Sequence, residues 1–184
     1  MKHLKSLLLP TLTLFLIGAL VTGALSATHY FTKDRIAAAE QEKIDNAMAE
    51  LFPDATFTLI EEDPQQNLTL YTADGASNGY IVRSSAMGYK SEIEVLTAFG
   101  INNKIVGVAV TDCASESPGI GQKVGTDTTF LEQFKGTSEM DDIDAITGAT
   151  YSCEGVKKAV ALAVAYMEQH TLYQSPTDEE GGAL

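Results

Sequence analysis

Three hydrophobic spacings succeed one another along the chain. No charged side chain occurs between Lys5 and Lys33, and residues 7–27 are mostly Leu, Val, Ile, Ala, Gly and Thr. About 20 such residues, each rising about 1.5 Å in a helix, span the hydrocarbon layer of a bilayer. From Lys33 to Leu51 the spacing becomes helical, with Ile36, Ala39, Ile44, Ala47, Met48 and Leu51 set among acids and amides until Pro53 stops the helix. Strand-like runs follow at residues 56–60 and 68–71, divided by a polar turn over 61–67, and then at 80–83, 92–99 and 104–110. Asn102-Asn103 between the last two predicts a hairpin, because asparagine tolerates the left-handed angles of tight turns. A polar loop over 112–121, a short helix over 130–134 and a long helix over 152–170 complete the pattern.

These elements predict an α+β chain: an N-terminal transmembrane helix, then one domain with antiparallel sheet and packed helices. The expected divisions are a cytoplasmic end (1–6), a membrane anchor (7–30), a stalk helix (31–52), the folded domain (53–174) and a flexible tail (175–184). A cleaved signal peptide competes with the anchor, since Ala24-Leu25-Ser26-Ala27 resembles a small-residue cleavage site. The apolar run is longer than the 7–15 residues usual for a signal core, which favours retention. Lys2 and Lys5 precede the span while Lys33 and Arg35 follow it, so charge gives a slight lean towards a cytoplasmic N-terminus.

Composition narrows the partners. The 12 basic and 25 acidic residues give a net charge of −13, which repels nucleic acid and anionic lipid headgroups. The three histidines, at 3, 29 and 170, form no zinc-ligand spacing or hydrolase triad, so neither a metal site nor a catalytic set is expected.

The chemistry concentrates in two short stretches. The first is Asp144-Ala145-Ile146-Thr147-Gly148-Ala149-Thr150-Tyr151-Ser152, directly before the last helix. Gly148 lets main-chain N–H groups approach an anion, Ala149 adds little bulk, Thr150 offers a hydroxyl, and the positive end of the helix faces it. Alone, such residues are equally a helix cap. The second is Glu116-Ser117-Pro118-Gly119-Ile120-Gly121-Gln122-Lys123, which alone reads as an ordinary turn.

Together they carry a resemblance. Asp144-x-x-Thr147-Gly148-Ala149-Thr150 is similar to the flavinylation motif of the FMN-binding domain found in the G subunit of Rnf/Rsx electron transport complexes and in the C subunit of the sodium-pumping NADH:quinone reductase. The stretch 116–123 resembles that family's Glu-Thr-Pro-Gly-Leu-Gly-x-Lys loop, and Phe130-Leu131-Glu132-Gln133-Phe134-Lys135-Gly136 resembles the block that follows it. The chain departs from the pattern at Ala114, where histidine is frequent, and at Ser117 and Ile120, which replace Thr and Leu.

The resemblance implies FMN held by a phosphoester bond to Thr150, attached by a separate flavin transferase that Asp144 helps to recruit. It implies a flavin pocket drawn from Glu116, Ser117, Pro118, Gly119, Ile120, Gly121, Lys123, Thr147, Gly148, Ala149 and Ser152, with Pro118 and the glycines giving a close backbone approach to the ring. It further implies an electron-transfer subunit of a membrane complex that couples ferredoxin–NAD electron transfer to Na⁺ or H⁺ movement, with other Rnf-type membrane subunits as partners. The flavin domain is then expected on the extracytoplasmic side of the cell membrane. A stand-alone flavin reductase and a non-redox anchored binding module are the competing classes. Cys113 and Cys153 flank the two loops, where a disulfide, two small buried thiols and a ligand pair completed by another subunit are all compatible with the sequence.

Overall fold

The computed structural model describes residues 2–75, 78–137 and 139–174. The tail expected over 175–184 lies outside the described residues. The chain divides into two units, Met1–Lys43 and Ile44–Leu184. Helix α1 (Lys2–Leu51) begins in the first and ends in the second, so the expected anchor and stalk are one unbroken helix with Pro10 inside it.

In the first unit Leu14, Phe15, Ile17, Leu20 and Leu25 are all exposed. Among the described residues, one helix is long and apolar enough to cross a membrane, with a mean hydropathy of 1.8 in its most apolar window. Thr13, Thr28 and Thr32 turn their hydroxyls back onto the carbonyls of Pro10, Ala24 and Thr28, which satisfies them within the helix itself. The apolar stripe expected from Ile36 onwards packs only from Ile44: Ile36 is exposed, whereas Ile44 and Met48 are buried.

The second unit is a five-stranded antiparallel sheet in simple consecutive order: β1 (Thr56–Asp63), β2 (Leu68–Asp74), β3 (Gly79–Met87), β4 (Glu92–Gly100) and β5 (Ile105–Asp112). The predicted hairpin joins β4 to β5, with Asn103 at φ 56° and its N–H donating to the Gly100 carbonyl. One face of the sheet carries Leu68, Leu70, Val82, Ile93, Val95 and Phe99 against the long helix α3 (Thr150–Gln174), whose Val156, Ala159, Val160 and Ala163 are buried there. The opposite face carries Ala73, Ile81, Leu96 and Ala98 against Ile44, Met48 and Phe52. Both faces of β4 are therefore covered over its second half, which explains the unbroken buried run from Val95 to Phe99.

Among the boundaries that differ from expectation, three have a visible physical cause. β1 runs on through Glu61, Glu62 and Asp63, because an edge strand can turn acids to water while its backbone pairs with β2. β3 continues past Arg83 to Met87, its buried Ser84 hydroxyl donating to the Ala159 carbonyl of α3 at 2.9 Å. The short helix α2 occupies Thr128–Glu132, two residues early, because the Asp127 carboxylate caps it by accepting from Phe130 N.

Among the described residues, one buried hydroxyl, Thr97 Oγ1 on β4, has no hydrogen-bond partner. An orphaned buried polar atom costs free energy, so Thr97→Val, which keeps the shape and removes the oxygen, should stabilise the domain by about 1 kcal/mol. Chemical denaturation of the two proteins checks this, and a destabilised valine variant would count against it.

Candidate functional site

The sheet order brings three loops to one end of the domain. The β3–β4 turn carries Tyr89 and Lys90, the loop after β5 carries Glu116 to Gly121, and the turn before α3 carries Gly148 and Ala149. They surround a cleft of about 240 Å³ lined by Tyr89, Ser117, Ile120, Gly121, Gly148, Ala149, Tyr151 and Ser152.

At the α3 end, Cys153 N donates to the Ala149 carbonyl at 2.9 Å, the first α-helical hydrogen bond. The N–H groups of Thr150, Tyr151 and Ser152 consequently have no acceptor within the helix and form its electropositive end. Thr150 is the first helical residue and its side chain is exposed. Gly148 takes φ +84°, a left-handed angle that turns the chain into the helix, and a Cβ there would lie 3.7 Å from Ile120 Cγ2, so the two loops touch.

The Gly121 backbone passes still closer. A Cβ at Gly121 would lie 2.8 Å from Ser152 Oγ and 3.0 Å from Glu116 Oε2, so only glycine permits this approach. Gly119, at φ +72°, needs glycine for its angle alone, since a Cβ there meets nothing. Of the loop's two glycines, Gly121 is thus the one packed tightly against neighbouring side chains.

Beneath the cleft sits Glu116, only 1 % exposed. Its Oε1 accepts from Lys90 N at 2.8 Å and Ser91 N at 3.3 Å, and its Oε2 accepts from Ser152 Oγ at 2.6 Å. Burial pushes this carboxyl up, but the Ser152 hydroxyl and the backbone N–H groups of the β3–β4 turn outweigh it and hold the group below its ordinary value of 4.5. A carboxylate depressed in the folded state contributes stability above its unfolded pKa and loses it as the pH falls through the folded one. Below about pH 4.5 the protein should therefore lose stability with pH more steeply than its Glu116→Gln variant, which starts lower at neutral pH. Parallel slopes in denaturant titrations across that window would refute the assignment.

Of the residues expected at the site, Ser117, Ile120, Gly121, Gly148, Ala149 and Ser152 line the cleft and Glu116 underlies it, whereas Pro118, Gly119, Lys123 and Thr147 are exposed outside its wall. Asp144 is exposed, and its backbone is clamped at both ends by one side chain: Asp144 N donates to Gln133 Oε1 at 2.7 Å and Gln133 Nε2 donates to the Asp144 carbonyl at 3.2 Å. No disulfide joins Cys113 and Cys153 in the described structure. Cys113 Sγ contacts the Gln122 carbonyl, while Cys153 Sγ accepts from Ile146 N and is pushed up in pKa chiefly by burial.

Sequence reasoning missed the aromatic rim. Tyr89 and Tyr151 both line the cleft and pack against one another, ring centroids 6.1 Å apart and planes at 34°, and they are 60 % and 71 % exposed. Two large rings left in water beside a cleft are the available signal, and it appears only once the β3–β4 turn is placed against α3.

An FMN-binding domain model matches residues 88–165, which contain every cleft-lining residue, and a model of the RnfG N-terminal region matches residues 1–51. The G subunit of the ion-translocating oxidoreductase complex of Vibrio atlanticus is 29% identical over 188 residues, covering 86% of this chain and 89% of that protein. The chain thus carries an FMN-binding domain behind an RnfG-type N-terminal region. Two further relatives are similar over most of their length. The G subunit of the Na(+)-translocating ferredoxin:NAD(+) oxidoreductase complex of Acetobacterium woodii is 28% identical, covering 83% of this chain and 87% of that protein. The G subunit of the ion-translocating oxidoreductase complex of Methanosarcina acetivorans is 27% identical, covering 91% of this chain and 97% of that protein.

Proposed function

We propose that this chain is the FMN-carrying electron-transfer subunit of a membrane-bound Rnf-type complex that couples electron transfer between ferredoxin and NAD to ion translocation. The observation that carries this reading is the convergence of the two motif loops on one cleft at the N-terminus of α3, with Thr150 at its edge. The residues suit the cofactor: Gly121 leaves backbone where a side chain would collide, the first-turn N–H groups suit a phosphate, and exposed Tyr89 and Tyr151 suit a flat aromatic ring.

Cleft size supports a covalent link to Thr150. At about 240 Å³ the cleft is smaller than the roughly 300–1,000 Å³ typical of small-molecule sites, so burial alone gives little hold on a flavin. A phosphoester tether removes that requirement and leaves the ring open to a redox partner. Bound FMN supplies the electron-transfer chemistry; the chain holds the phosphate, shapes the floor and excludes water from one side. The exposed Asp144 carboxylate, on a backbone fixed by Gln133, is available to an attaching transferase.

The names of the relatives favour a member of a complex over a stand-alone reductase or a non-redox module. The exposed apolar helix supports membrane anchoring, and the slight charge lean towards a cytoplasmic N-terminus favours an extracytoplasmic flavin domain. Isolation from the native host tests both halves of the reading. Membrane fractions should contain the chain with its N-terminus intact and with flavin absorbance that survives denaturation, and a surface cysteine introduced in the domain should be labelled from outside the cytoplasm. A mature N-terminus near residue 28 or labelling only from the cytoplasm would overturn the topology, and flavin lost on denaturation would overturn the tether.

A further inference from the structure

Glu116 gives the cleft a polarity that its lining alone does not have. An ionised carboxylate only accepts hydrogen bonds, so the proton on Ser152 Oγ is committed to Glu116 Oε2 at 2.6 Å. Ser152 Oγ therefore turns lone pairs, and no proton, towards the cleft. None of the ion pairs among the described residues involves Glu116, so its negative charge has no paired cation. That charge lies one atomic layer below the surface, within about 3.0 Å of where a Gly121 Cβ would stand. Just before Ser152 in the same first turn of the helix, the Thr150 and Tyr151 N–H groups present the opposite polarity.

We propose that Glu116 is a positioning residue that orients the flavin, keeping the phosphate at the Thr150 end and hydrogen-bond-donating, uncharged parts of the cofactor over Ser152, and that its buried charge lowers the flavin's reduction potential. This inference rests on the flavin reading of the cleft. The cause of the second effect is electrostatic: reduction adds negative charge to the ring, and a fixed, weakly screened carboxylate beneath it opposes that. Clasping the β3–β4 turn to α3 is a structural role that any good hydrogen-bonding side chain could fill, whereas the effect on potential requires the charge.

The test uses the full chain produced with a flavin transferase and purified in detergent, with the midpoint potential of the covalent flavin read by spectroelectrochemical titration at mildly alkaline pH. Glu116→Gln should shift the potential positive. Ser152→Ala keeps the carboxylate but removes both the hydroxyl that partly neutralises it and the acceptor facing the cleft, and should shift the potential negative. Opposite signs support the proposal, while wild-type potentials in both variants, or shifts of the same sign, overturn it. If Glu116→Gln does not accumulate as folded protein, Ser152→Ala decides alone: a negative shift supports the role, and an unchanged or positive one overturns it. Wild-type protein that carries no covalent flavin would instead sink the flavin reading, and this inference with it, so the two failures are distinguishable.

Discussion

Thr150→Ala should carry no covalent FMN and yet fold as the wild type does. The threonine is exposed at the first position of α3, where its N–H has no helical acceptor, so the side chain can be removed without opening the core. Surface changes of this kind usually alter stability by no more than about 0.5 kcal/mol. The loss of flavin should nevertheless be complete, because in the proposed tether the Thr150 hydroxyl oxygen is the atom that bonds the phosphate. Mass spectrometry of denatured, digested protein makes the comparison: a Thr150 peptide bearing FMN mass in the wild type and none in the variant. Covalent FMN retained by Thr150→Ala would displace the attachment to another residue.

A second large effect is expected from Gly155→Ala, one turn further along α3. In an ordinary helix this change stabilises by about 1 kcal/mol, since glycine gives up more backbone freedom. Here a Cβ would lie 2.8 Å from Gly88 Cα and 3.1 Å from Gly88 N, a collision with backbone that no side-chain rotation relieves. The clash should reverse the sign, with a net loss of about 1–3 kcal/mol as α3 lifts from the end of β3. Because Gly88 adjoins Tyr89, the tyrosine rim should move as well, and attached flavin should show altered visible absorption. A rise in melting temperature for Gly155→Ala would mean that helix and strand pack less closely than this backbone contact requires.

The sequence made the elements legible wherever local physics decides them. Asn102-Asn103 announced the β4–β5 hairpin, and the long apolar run announced the N-terminal helix, since turn angles and hydropathy need no distant partner. Local signals failed where a tertiary contact supplies the missing stability. Ser84 stays in β3 because Ala159 accepts its proton, and Ile36 stays exposed although its spacing matches that of Ile44. The site divides in the same way. The two motifs were visible as strings, but the role of Gly121 depends on Ser152, far along the chain, and Tyr89 stands in a turn with no recognisable pattern. Gln133 was legible only as part of a similar block, and its clamp on the Asp144 backbone emerges from the packing of the two loops.

The last turns of α1 belong to the sheet's core, through Ile44, Met48 and Phe52, although the same helix begins in the apolar N-terminal segment. The seam between the chain's two parts therefore lies inside a continuous helix and coincides with no loop or turn. A soluble version cannot be obtained by deleting the helix as a unit, because doing so strips one face of the sheet. It has to be cut within the helix, upstream of Ile44, leaving a short helical stub as a permanent part of the domain.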